Sequence, residues 1–114
     1  MITIVRDPIS LSELKERAKN LFSNLVKAVV DVEQGVMTID GELHADEEAI
    51  LLEDGSQQQH LWGINIYPDL PKDQMIEFDS MINLRPSQGN MSRGIDDPAI
   101  RQKITQIVFT LIAE

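Results

Sequence analysis

Residues 26–40 read VKAVVDVEQGVMTID, and the period of this stretch decides the fold. In an extended chain, side chains alternate between faces, so Val26, Ala28, Val30 and Val32 share one side and Lys27, Val29, Asp31 and Glu33 the other. Gln34-Gly35 is a turn signal, and Val36 to Asp40 resume the alternation. The stretch therefore predicts an antiparallel hairpin. A second hairpin is predicted from His60–Tyr67 and Met75–Leu84, where Trp62, Ile64 and Ile66 alternate on one strand and Ile76, Phe78, Ile82 and Leu84 on the other. Its connection contains Pro68 and Pro71, which cannot lie within a central strand.

Helices fill the spaces around these hairpins. Ser10 stands three residues before Glu13, the spacing of a capping box, and Leu11, Leu14, Ala18, Leu21 and Phe22 follow at helical intervals. The negative run Asp46-Glu47-Glu48 opens a short second helix, with Ala49, Ile50, Leu51 and Leu52 as its buried side and Gly55 beyond its end. Asp97-Pro98 starts the last helix in the favoured order, and Ile100, Ile104, Ile107, Val108 and Leu111 form its stripe. With a short strand at Ile2–Val5, the order is β-α-ββ-α-ββ-α. That order predicts an α+β fold, a mainly antiparallel sheet with helices packed on one face.

The other sheet face would show Lys27, Val29, Val36, Leu61, Asn65 and Met81, a mixed and partly apolar surface. Such a patch marks an association surface or lies under other parts of the chain. A homodimer joined through this face is the preferred reading. The alternative is cover by loops or by the first strand.

Composition narrows the function classes. A chain of 114 residues has the size of one domain, here residues 1–114. It contains no cysteine, which excludes disulfides, thiolate catalysis and Cys-based metal sites. The net charge of −9 is uneven: residues 28–71 hold ten acids and no Lys or Arg. An acidic protein of this kind is a poor counterion-displacing ligand for phosphates, so no nucleic-acid partner is expected. The opening MITIVRDP reads as strand and turn rather than as a leader, and no apolar run reaches spanning length, so a cytoplasmic protein without membrane attachment is expected. Neither a Walker loop nor a GxGxxG fingerprint is present.

Residues 84–98, LRPSQGNMSRGIDDP, form a long polar connection before the last helix, and long connections of this kind are often functional. Arg85, Ser87, Gln88, Asn90 and Arg93 supply hydrogen-bond donors, with Gly89 and Gly94 permitting anion-holding backbone. The first functional reading is thus a non-enzymatic binding module that takes a protein or small ligand through the Arg85–Asp97 loop. Asp96-Asp97 oppose a phosphate at the following helix end. The alternative is a metal-dependent hydrolase or phosphoesterase in which Glu42, His44, Asp46 and Asp79 hold the ion. Their spacing matches no established metal motif, and acids before a helix also serve as caps. Asp31, Asn65, Glu77 and Asp79 share a predicted sheet face, where solvated cross-strand charge is the ordinary interpretation. No cofactor is assigned.

The strings VKAVVDVEQGVM, GELHADEEAILLEDGS, LWGINIYP and IEFDSMINLRPSQGN together resemble a family of small prokaryotic proteins known as a domain of unknown function. The resemblance runs from Pro8-Ile9-Ser10 to Asp97-Pro98 and Arg101. It implies a stand-alone prokaryotic protein and assigns no activity, cofactor or catalytic residue.

Overall fold

The computed structural model describes residues 1–114. In chain order the elements are β1 (Thr3–Val5), β2 (Ile9–Ser10), α1 (Leu11–Leu21), β3 (Val26–Asp31), β4 (Val36–Ile39), α2 (His44–Glu53), β5 (Leu61–Ile66), β6 (Ile76–Glu77), α3 (Pro98–Leu111) and β7 (Ile112–Ala113). The fold is α+β, and its five-stranded sheet runs β1-β4-β3-β5-β6 with every neighbouring pair antiparallel. β2 and β7 form a separate two-residue parallel ribbon that ties the chain ends together. No helix is long and apolar enough to cross a membrane.

The β3–β4 hairpin forms as its alternation predicts, with Val30 opposite Met37 and Val29 opposite Thr38. Its turn is held by Asp31, whose Oδ1 accepts the N–H groups of Glu33 and Gln34 while Oδ2 accepts the Ser56 hydroxyl at 2.7 Å. Gly35 closes the turn at φ +71°, a conformation cheap only for glycine. Asp31 is therefore a buried, satisfied turn residue and takes no part in a surface cluster with Glu77 and Asp79. The α1 and α3 caps also form where expected, with Ser10 accepting from Glu13 N–H and Asp97 from Ala99 N–H.

The arrangement of helices corrects the sequence reading, because they cover both sheet faces. Leu14 and Ala18 of α1, and Ile104, Val108 and Leu111 of α3, pack with Ala28, Val30, Met37, Trp62 and Ile64 on one face. On the other, Leu51 of α2 packs with Val29, Val36 and Leu61, and Ile4 and Ile82 lie against them. Burying side chains of this size stabilises by about 1.5–3 kcal/mol each, so a sheet with apolar residues on both sides gains from a helix on both. The surface on which self-association was expected is thus occupied within the chain by α2. That helix buries only Leu51 and Glu47, one turn apart, and leaves Leu52 and Ala49 exposed.

The second hairpin is shorter than its alternation suggests. β6 ends at Glu77, and the chain then leaves the ladder through helical turns at Met81–Asn83 and Pro86–Gln88. Asn83 substitutes for the missing strand: its Oδ1 accepts from Gly63 N–H at 2.8 Å and its Nδ2 donates to Gly63 C=O at 2.9 Å. Gly63 is required there by close approach, since a Cβ would stand 2.6 Å from Ser80 Cβ. This exit sends Ile82 to the α2 face, whereas Ile76 and Phe78 stay against the opposite core and Leu84 is exposed.

Candidate functional site

The polar loop divides into a structural half and an open half. Arg85 is 8% exposed. Its guanidinium donates to Leu61 C=O and Ile82 C=O, lies 4.6 Å from the centre of the Trp62 ring, and has Glu48 at 3.5 Å. Burial lowers its pKa and Glu48 acts in the opposite direction. Asn90 is buried as well, donating to the carbonyls of Asn83, Ser92 and Gly94 and accepting from Asp96 N–H. Gln88 bridges Arg85 and Gln59 C=O, and Ser87 is exposed in the turn. Asp96 accepts from Met91 N–H and from the Ser92 hydroxyl, which together hold its carboxyl below the usual range. Of the loop's expected binding residues, Arg93 alone both reaches a cleft and keeps an exposed side chain.

That cleft is built at the start of α2. Leu43 is the N-cap and no side chain caps the helix; Asp46 N–H bonds back to Leu43 C=O, and Asp46 in the first turn offsets the partial positive charge of the helix end. Lys27 of β3 and Asn65 of β5 are directly opposite in the ladder, and Asn65 is in turn opposite Glu77 of β6. The Asp79–Ile82 segment and Arg93 complete the wall, enclosing about 250 Å³. Leu43 and Met81 line it while 55% and 64% exposed.

Its electrostatics are mixed, with Lys27 and Arg93 set against Asp79 in the lining and Glu77 beside Asn65. Lys27 makes no ion pair, and its Nζ lies 5.1 Å from the centre of the Phe22 ring. Arg93 Nε donates to Asp79 Oδ1 at 2.8 Å, but both side chains are largely exposed. Such a pair is worth about 0–1 kcal/mol and yields readily to a ligand. His44 Nε2 donates to Ile64 C=O at 2.7 Å. Burial lowers the ring's pKa and Lys27 adds to this, against the opposing pull of Ile64 C=O, Asp79 and Asn65. The neutral ring therefore carries its proton on Nε2 and presents Nδ1 as an acceptor. Asn65 is 9% exposed; its Nδ2 donates to Glu77 Oε1 and to Asp79 C=O, while Oδ1 accepts no hydrogen bond. The amide adjoins the His44 ring closely enough to favour protonation, yet no bond of ordinary geometry joins them.

The expected metal ligands do not come together. No group of three or more His, Asp or Glu side chains is placed to share an ion. His44 and Asp79 line the cleft, whereas Glu42 and Asp46 do not. Glu47, expected to supply negative charge at the helix start, is instead fully buried. Burial pushes its carboxyl up to about 9; the Gly41 N–H bond to Oε2 opposes this and Asp40 adds to it. Glu47 is thus a neutral acid packed on Gly41, where a Cβ would meet its Cγ at 2.5 Å.

A second hollow, about 340 Å³ and more open, lies among Thr3, Arg17, Asn20 and Asp40. Its Asp40 already accepts from both Arg17 and the Thr3 hydroxyl, so its charges satisfy one another.

Lys27 was not singled out from the sequence as a site residue. The signal was its period-two register with Asn65 and Asp79, and the covering helix that turns this row into a cleft wall has no such signature.

Fold and cleft define a small α+β protein with one polar, partly apolar recess between α2 and the segment after β6. The chain belongs to the family described as Protein of unknown function (DUF5674), which matches residues 3–111. No curated protein and no solved structure gives a significant match.

Proposed function

We propose that this protein is a non-enzymatic binding module whose recognition site is the cleft between the start of α2 and the Asp79–Arg93 segment. One observation carries this reading: Arg93 from the polar loop, Lys27 and Asn65 from the sheet, and the uncapped end of α2 meet at a single recess. Arg85 and Asn90 serve it indirectly by fixing the loop against β5. A hydrolase reading lacks a comparable observation, since no ligand set converges.

The test is a screen of small metabolites and short peptides against ¹⁵N-labelled protein. Binders are expected to shift the amide signals of Lys27, His44, Ala45 and Asn65, and Arg93→Ala is expected to weaken that response. Shifts confined to surfaces away from these residues would reject the cleft as the site.

A further inference from the structure

The apolar rim of the cleft continues beyond it. Eight large apolar side chains are well exposed, and four of them, Leu43, Met81, Leu84 and Met91, fall on one stretch of surface. Leu43 and Met81 both line the recess. Leu84 follows Met81 by three residues on a helical turn closed by its N–H bond to Met81 C=O, a spacing that stacks the two side chains. The backbone of Arg85 then pairs antiparallel with that of Asn90 through two hydrogen bonds. Arg85 and Asn90 are buried, so Leu84 and Met91, opposite each other one step further from the turn, point outward together. Scattered apolar groups on a surface are ordinary, whereas a row of four marks a docking face.

The surroundings select the partner. Arg93 is matched by Asp79, which leaves Lys27 against the exposed acids Glu42 and Asp46 beside Leu43 and Asp96 and Asp97 beyond Met91. With a net charge of −9 on the chain, this face repels a second copy, a nucleic acid or an anionic membrane and attracts a basic partner. No strand can add to the neighbouring edge of β5, because Gly63 N–H and C=O are taken by Asn83 and Leu61 C=O by Arg85. The contact therefore runs through side chains, which suits a helix, whose backbone bonds are already made. Methionine at two of the four places adapts to such a face.

Resting on the cleft reading above, we infer that the Leu43–Met81–Leu84–Met91 face docks a basic amphipathic helix of a partner protein. Its apolar side lies on the row, and its Lys or Arg side chains reach toward Glu42, Asp46, Asp96 and Asp97.

The probe is a synthetic peptide of leucine and lysine with its leucines on one helical face, titrated into protein carrying ¹³C-methyl methionine. The Met81 and Met91 methyl signals are expected to shift together while those of the buried Met37 and Met75 stay. Met91→Gln, outside the cleft, is expected to weaken the peptide about tenfold with the free protein still folded. The same peptide with glutamate for lysine is expected to bind about tenfold more weakly. Equal binding of the glutamate peptide removes the charge requirement, and a shift of Met81 without Met91, or an unchanged affinity of Met91→Gln, confines binding to the cleft. Movement of both signals on concentrating the protein alone makes a second copy the occupant. Each of these overturns the inference. If the peptide moves neither signal while compounds in the screen shift His44 and Asn65, the partner class is wrong and the cleft reading stands. If nothing shifts the cleft signals, that reading falls as well.

Discussion

Glu47→Gln isolates the cost of burying an acid beneath α2. The Glu47 carboxyl is fully buried, and desolvation, opposed by the Gly41 hydrogen bond, raises its pKa from 4.5 to about 9. In the folded chain it keeps its proton up to that value, whereas in the unfolded chain it loses the proton above pH 4.5. The folded state then binds more protons than the unfolded state, so stability falls as pH rises between the two values and is fully retained below the lower one. The slope is about 1.4 kcal/mol per pH unit, so raising the pH from about 5 to about 8 costs the natural chain roughly 4 kcal/mol at this residue. Glutamine keeps the shape and an oxygen for Gly41 N–H but does not titrate. Urea unfolding of both chains across this range cancels the contributions of all other groups. The variant is expected to gain on the natural chain steadily with pH, by roughly 4 kcal/mol over the range. Parallel pH profiles for the two chains would refute a neutral, buried Glu47.

Two further variants address the exit from the sheet. Asn83→Ala leaves Gly63 N–H and C=O buried without partners, at about 1–3 kcal/mol each, and its urea midpoint is expected to fall by about 1–2 M. Gly63→Ala drives a methyl to 2.6 Å from Ser80 Cβ and is expected to cost about 1–3 kcal/mol in the same assay. Adding Ser80→Gly is expected to recover part of that loss, and strictly additive losses would rule out the contact as its cause.

Elements with strong local chemistry were legible in the sequence. The β3–β4 hairpin has alternation and a glycine turn that agree, and α1 and α3 have caps as well as stripes. α2 has none of these advantages. Its apolar residues run consecutively through Ala49–Leu52, so no stripe shows which face is covered, and Glu47 of its acidic run is buried and neutral rather than solvated and charged. The length of β6 was overread because Phe78, Ile82 and Leu84 continue its alternation, while the residue that replaces the strand, Asn83, acts through a side-chain amide invisible to periodicity. The loop donors looked equivalent for a related reason. What separates Arg85 from Arg93 is the Trp62 face and the Leu61 carbonyl, both brought near by the fold rather than by spacing.

The division of that loop is the claim on which the cleft depends, and thermal melts of Arg85→Ala and Arg93→Ala compare its two halves directly. Arg85 loses its ring contact and its bonds to the Leu61 and Ile82 carbonyls, worth about 3 kcal/mol, so its midpoint is expected to drop by about 10 °C. Arg93 gives up only an exposed pair with Asp79, so its midpoint is expected to stay within about 2 °C of the natural chain. Equal losses, or a greater loss for Arg93→Ala, would contradict the account by making Arg93 part of the scaffold.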